Sequence, residues 1–220
     1  MIRIKNINKS FGEGESEVHV IRDMSLDVKE GEFVAIMGKS GCGKTTLLNI
    51  LGTLEQTDSG EYLLDEVDIV HLKVKEKCKL RRTKLAIIYQ DYNLVEDLNV
   101  YDNIILPFIF DHGAYDKEYL MCLAKELEVE SLLYKKAGLL SGGEKQRVAI
   151  VRALLQKPKV ILADEPTGNL DSVNSDIVIK ALKKGSDDHN QTIIMVTHDK
   201  DIAEYADRII YMKDGKIIER

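Results

Sequence analysis

No apolar run in the chain approaches the roughly 20 residues needed to cross a bilayer; the longest, such as Asn103 to Phe110 (NIILPFIF), stop far short. The opening residues, MIRIKNINKSFG, alternate apolar and polar like a strand and hold no apolar core of the length a secretory leader needs, so the chain is expected to stay in the cytosol. Direct membrane insertion is not expected, and a membrane role requires a partner. A basic excess is missing too: 31 Lys and Arg face 37 Asp and Glu, for a net charge of −6, which argues against a general nucleic-acid binder. Cysteine is scarce. Cys42, Cys78 and Cys122 are odd in number, far apart and in no C-x-x-C or Cys/His spacing, so neither a disulfide framework nor a zinc site is indicated, and a reducing compartment fits. Repeats, linkers and low-complexity tracts are absent. What is present, 44% hydrophobic and 31% charged residues in 220, suffices for a sizeable core in one large domain, or in one domain with an inserted lobe.

Five short β-branched runs are separated by helix-like segments: Glu32 to Gly38, Leu85 to Gln90, Lys159 to Glu165, Gln191 to Asp199 and Asp207 to Met212. Near-continuous apolar strands of this kind read as buried on both faces, so the predicted core is α/β, a mainly parallel sheet covered by helices. The chain closes with IIYMKDGKIIER, two strand-like runs around Asp214-Gly215, which predicts an antiparallel hairpin. Ser59 to Ile69 and residues 1–30 read the same way and place an antiparallel β region beside the core. From Asp91 to Leu139 the β-branched runs thin out, and Asp116 to Lys136 carries apolar residues at helical spacing. The predicted division is one domain of 1–220, with 1–90 and 151–220 forming the core and antiparallel region, and 91–150 an inserted helical lobe.

Gly38 to Thr45, GKSGCGKT, matches G-x-x-x-x-G-K-[ST] directly after a predicted strand and before the helix-like TTLLNIL. Unpaired backbone N–H groups at such a turn hold phosphates, with Lys44 reaching the outer ones and the Thr45 hydroxyl offered to Mg²⁺. Val160 to Glu165, VILADE, is an apolar strand ending in two carboxylates. Asp164 is thereby delivered to the edge of the sheet where Mg²⁺ is held, and Glu165 to where a water is polarised. Leu140 to Val148, LSGGEKQRV, reads as a second helix N-terminus fit for an anion, although Ser-Gly-Gly alone is more often a plain loop and cap. Gln90 after a strand, Asn169 to Ser172 (NLDS) and His198 in VTHD complete an ordered set.

This set resembles the nucleotide-binding subunit of ATP-binding cassette (ABC) transporters, over essentially the whole chain. The resemblance implies a P-loop NTPase core and ATP with Mg²⁺ as ligands. It assigns Gly38, Lys39, Ser40, Gly41, Cys42, Gly43, Lys44, Thr45 and Thr46 to the ATP cradle, and Thr45, Gln90 and Asp164 to Mg²⁺. Glu165 is implied as general base, with His198, Lys44 and Gln90 beside it, and Phe11 as the aromatic that stacks on adenine, against the plainer reading of a core aromatic. Ser141, Gly142, Gly143 and Glu144 are implied to cap the γ-phosphate of ATP held by a second copy, with Asp171 coupling the sites, in a head-to-tail dimer around two nucleotides.

Lys39 and Cys42 stand where the family often has proline and serine. Cys42, beside a helix N-terminus and Lys44, becomes a candidate for thiol modification that MgATP blocks. The implied partner is an integral membrane permease on the cytoplasmic face of the plasma membrane, docked near the helical lobe and the Gln90 loop. TGNLDS, LNILGTLEQTDSGE and VYDNIILPFIF resemble the subgroup exporting macrolides, antimicrobial peptides or lipoproteins. A mechanotransmitter, driving a membrane partner to activate an extracytoplasmic enzyme without transport, remains the alternative. A DNA-repair or chromosome-organising ATPase needs long heptad arms that this chain lacks, and a small-molecule kinase has no use for LSGGE or His198.

Overall fold

A computed structural model describes residues 1–110 and 113–218. Two sheets organise it. Strands β1 (Ile2–Phe11), β2 (Val18–Val28), β4 (Ser59–Leu64) and β5 (Val67–Asp68) make an antiparallel sheet in the order β2-β1-β4-β5. Strands β3 (Phe33–Met37), β6 (Leu85–Ile88), β7 (Val160–Asp164), β8 (Thr192–Val196), β9 (Arg208–Lys213) and β10 (Lys216–Ile218) make the second, in the order β10-β9-β3-β8-β7-β6. All its pairings are parallel except the β9–β10 hairpin at Asp214-Gly215. Glu219 and Arg220, which the sequence reading assigned to that hairpin, lie outside the described residues.

Alternation along the central strands divides their side chains between two cores. Phe33, Ala35 and Met37 of β3, Ile161 and Ala163 of β7, and Ile193 and Met195 of β8 enter one; Val34, Ile36, Val160, Leu162, Ile194 and Val196 enter the other. Period-2 geometry forces this split, and burial on both faces explains why these strands read as unbroken apolar runs. Each of these side chains larger than alanine contributes about 1.5–3 kcal/mol on burial. The first core is closed by helices α3 (Val100–Phe110), α4 (Lys117–Glu126), α5 (Gly142–Leu155) and α6 (Ser172–His189). The second is closed by α1 (Lys44–Leu51), by Leu80 of α2 (Val74–Thr83) and by the antiparallel sheet. A short α7 (Lys200–Ala203) precedes β9.

The helical reading of Asp116 to Lys136 is too long. Helix α4 ends at Glu126; Glu128 has φ +54°, its amide bonds to the Lys125 carbonyl, and the Val129 amide bonds to the Ala124 carbonyl. This is the paired-bond helix stop usually made with glycine. Here Val129, fully buried, offsets the left-handed strain of Glu128 by entering the core. Within NIILPFIF, Ile104 is buried while Ile109 is half exposed. The buried Asn103 amide accepts from the Val95 amide and donates to the Val95 and Asn99 carbonyls, which organises the segment after Gln90.

Asp207 ties three elements together. Its carboxylate accepts from the Phe33 amide at 2.9 Å and from Lys183 of α6 at 2.8 Å, at the start of the β3–β9 pairing. Burial acts to raise its carboxyl, but Lys183 and the Phe33 amide outweigh it and hold the group below its ordinary range. A depressed carboxylate adds stability above its unfolded pKa and loses it as pH falls through the folded value. Asp207→Asn is therefore expected to lower the urea midpoint at neutral pH, with the difference from the native chain shrinking below about pH 4.

Candidate functional site

The turn between β3 and α1 is held open by its backbone. Gly41 has φ +78° and Gly43 φ +100°, conformations that side chains resist, and a Cβ on Gly43 would lie 2.8 Å from the Val20 carbonyl oxygen. Gly43 is the N-cap of α1, no side chain caps that helix, and its first turn carries no acid. Its leading N–H groups are thus left for an anion, and the fit of the loop to phosphate rests on this. Lys44 is buried, with Nζ donating to the Gly38 and Lys39 carbonyls at 2.8 and 3.0 Å.

Around the turn opens a cleft of about 490 Å³ lined by Gly38, Ser40, Gly41, Gly43, Lys44, Thr45 and Thr46, and by Gln90, Asp164, Glu165 and His198. Four strand ends deliver these groups: β3 leads into the turn, β6 to Gln90, β7 to Asp164 and β8 to His198. Burial pushes the Asp164 carboxyl above the usual range and neighbouring Glu165 adds to this, while Thr45 and Lys44 oppose it. Thr45, Gln90 and Asp164 present hydroxyl, amide and carboxylate oxygens to one cleft, a donor set suited to a hard divalent cation such as Mg²⁺.

Glu165 leaves β7 in the left-handed region, φ +47°, with its amide bonded to the Val196 carbonyl. That departure from the strand turns its side chain toward His198, and Glu165 Oε2 lies 3.0 Å from His198 Nδ1. Gly168 leaves the room: a Cβ there would stand 3.1 Å from the same oxygen.

Several residues of the ordered set stay outside the cleft lining. Ser141 to Glu144 lie at the start of α5, where Ser141 Oγ accepts from the Glu144 amide and the Glu144 carboxylate accepts from the Ser141 amide at 2.7 Å. These bonds, the backbone one foremost, hold the Glu144 carboxyl below its ordinary range. Asp171 caps α6, its Oδ1 accepting from the Asn174 amide at 2.8 Å. Phe11, at the end of β1, is 43% exposed with Lys9 Nζ over its ring at 5.0 Å, so it is not a core aromatic. Lys39 and Cys42 belong to the turn without lining the cleft, and Cys42 is buried in the core beneath, which leaves a thiol reagent the exposed Cys122 first.

The sequence reading did not include Val20 and Val196, which also line the cleft, or the β9–β10 turn, whose Gly215 amide bonds to the Cys42 carbonyl at 3.2 Å. Neither carries a motif; both arrive through strand pairing across long separations. Gly43→Ala is expected to weaken nucleotide binding at least about 10-fold, since φ > 0 and the Val20 contact both oppose a side chain. Equilibrium binding of a fluorescent ATP analogue, with circular dichroism confirming the fold, measures it.

Over residues 21–168 the chain matches the family described as ABC transporter. It is 42% identical over 223 residues to MJ0796, an uncharacterised ABC transporter ATP-binding protein of Methanocaldococcus jannaschii, covering 99% of this chain and 95% of that one. It is 44% identical over 221 residues to the macrolide export ATP-binding/permease protein MacB of Neisseria meningitidis, covering 99% of this chain and 34% of that one, about a third of the exporter's length. The dimeric post-hydrolysis structure of MJ0796 bound to ADP and Pi matches with a TM-score of 0.93 at 39% identity, covering 100% of this chain and 97% of that one. CbiO1 of Clostridium perfringens, part of the cbiONQ complex, matches with a TM-score of 0.84 at 30% identity, covering 99% and 86%. With its phosphate turn, its paired Glu165 and His198 and these relatives, the chain belongs to the ABC transporter family, as an ATP-binding and ATP-hydrolysing cassette.

Proposed function

We propose that two copies of this chain close head to tail around two ATP molecules, each supplying the Ser141–Glu144 segment to the nucleotide in the other's cleft, and so drive a separate export permease. One observation carries the reading: besides the uncapped phosphate turn, a second glycine-rich helix N-terminus, Ser141–Glu144, capped within its own chain, lies outside the cleft built around the first. A dimer gives the second one its ligand. The division 1–90 and 151–220 against 91–150 then separates the nucleotide-binding body from the lobe that carries Ser141 toward the partner.

Within one site, Lys44 and the backbone of Gly38 to Gly43 hold and orient the phosphates, with Thr46 and Ser40 beside them and Phe11 against the base. Thr45, Gln90 and Asp164 would hold Mg²⁺, which when bound would supply neutralisation of charge on the phosphate oxygens. Glu165 acts as the general base. With His198 Nδ1–H donated to Oε2, the imidazole is held in one tautomer and the other carboxylate oxygen is left to take a proton from water. In-line attack asks for little beyond this positioning, the positive charge of Lys44 and the hydrogen-bond donors of the partner's signature segment. Asp171, exposed at the head of α6, couples one site to the other across the dimer.

No described helix is long and apolar enough to cross a membrane. The moving part is therefore a permease, which holds the cassette on the cytoplasmic face of the plasma membrane. A groove of about 310 Å³ beside the Gln90 loop supports this: Leu54, Ile87, Leu106 and Pro107 give it an apolar floor, and Arg81 and Arg152 stand at its wall. Similarity to the macrolide exporter supports export of an antibiotic, peptide or lipoprotein. Tagged Glu165→Gln, which binds ATP and stalls before hydrolysis, is expected to retain a permease from native membranes in MgATP; recovery of a soluble homodimer alone removes the membrane assignment.

A further inference from the structure

Tyr92, two residues past Gln90, belongs to no motif, yet three loops meet at its phenol. Its Oη accepts from Asn169 Nδ2 at 3.2 Å, and a Cβ on Gly142 would stand 2.8 Å from that same oxygen. Gly143, the next signature residue, would place a Cβ 3.2 Å from Leu170 Cδ2. The Gln90 loop, the signature segment and the Asn169–Asp171 loop are thus in direct contact inside one chain.

The placement of Tyr92 is specified from behind. Tyr92 and Asn93 both have positive φ, +63° and +46°, a backbone that must be held by its surroundings. Arg152 of α5 holds it, donating to the Tyr92 carbonyl at 2.8 Å and to the Asn93 carbonyl at 2.6 Å. The helix that begins with the signature therefore grips the loop that begins with Gln90 at both of its ends, through Gly142 and through Arg152. Arg147, one turn into the same helix, bonds to Asn174, which also donates to Asp171.

We propose that Tyr92 is a positioning residue: its hydroxyl registers the signature segment against the Asn169–Asp171 loop and passes displacement of the Gln90 loop to the signature, which serves the partner's nucleotide. The consequence for hydrolysis rests on the dimer reading above; the contact inside one chain does not. Tyr92 lies outside the lining of the nucleotide cleft, so its loss acts on hydrolysis and leaves ATP binding alone.

Tyr92→Phe removes only the hydroxyl. In the isolated subunit, amide exchange at 142–145 is expected to quicken about 2- to 10-fold, the scale of one hydrogen bond, with MgATP affinity and thermal midpoint unchanged. In the permease-coupled enzyme kcat falls by a similar factor at constant KM. Asn169→Ser is expected to reproduce both effects, and the double variant to add nothing. Unchanged exchange at 142–145, additive double-variant effects, or a fall in MgATP affinity overturns the proposal. Failure of the dimer reading shows elsewhere, as Glu165→Gln remaining monomeric in MgATP, and leaves the exchange measurement intact.

Discussion

The site depends on a parallel sheet buried on both faces. Ile36 of β3 pairs with Val196 of β8, Val196 with Asp164 of β7, and Ala163 of β7 with Ile88 of β6. This register brings the carboxyl ends of four strands to one edge, so the phosphate turn, Gln90, the two carboxylates and His198 open into one cleft. Because both faces are packed, a slip of one residue in any strand moves its whole apolar set to the opposite core, and the register is enforced by every buried side chain. Catalytic geometry here is a by-product of core packing.

The signature helix answers to different physics. Its N-terminus is held by a capping box and its body is buried against the core and the helical lobe. Near the root, however, both polar atoms of the buried Gln146 amide and Nε of Arg147 find no hydrogen-bond partner among the described residues. Each such group costs about 1–3 kcal/mol, stability withheld from this helix in this arrangement.

Much of this was legible in the sequence because the phosphate turn, the strand-end carboxylates and His198 are local: neighbours in sequence determine their geometry. The parallel sheet was legible because burial on both faces leaves uninterrupted apolar runs. The end of α4 was not, since Glu128 gives no stop signal and the chain turns there only because Val129 gains burial. The inward placement of Cys42 escaped for a related reason, since the motif constrains the loop's backbone and not the core beneath it. Tyr92 was invisible because its partners, Gly142 and Asn169, lie far along the chain and meet it only after the sheet and α5 have packed.

The central claim is that each catalytic site is assembled from two chains. Lys44→Ala disables the phosphate turn and Ser141→Arg disables the signature, so each homodimer is dead at both sites. Mixed dimers recombine one intact turn with one intact signature. The ATPase rate of the two purified variants mixed in MgATP is therefore the direct test. Activity well above that of either variant alone, rising and falling with their ratio to a maximum at equal amounts, is the predicted result. A mixture no more active than its parts contradicts the account, because a site built within one chain cannot be rescued by a partner.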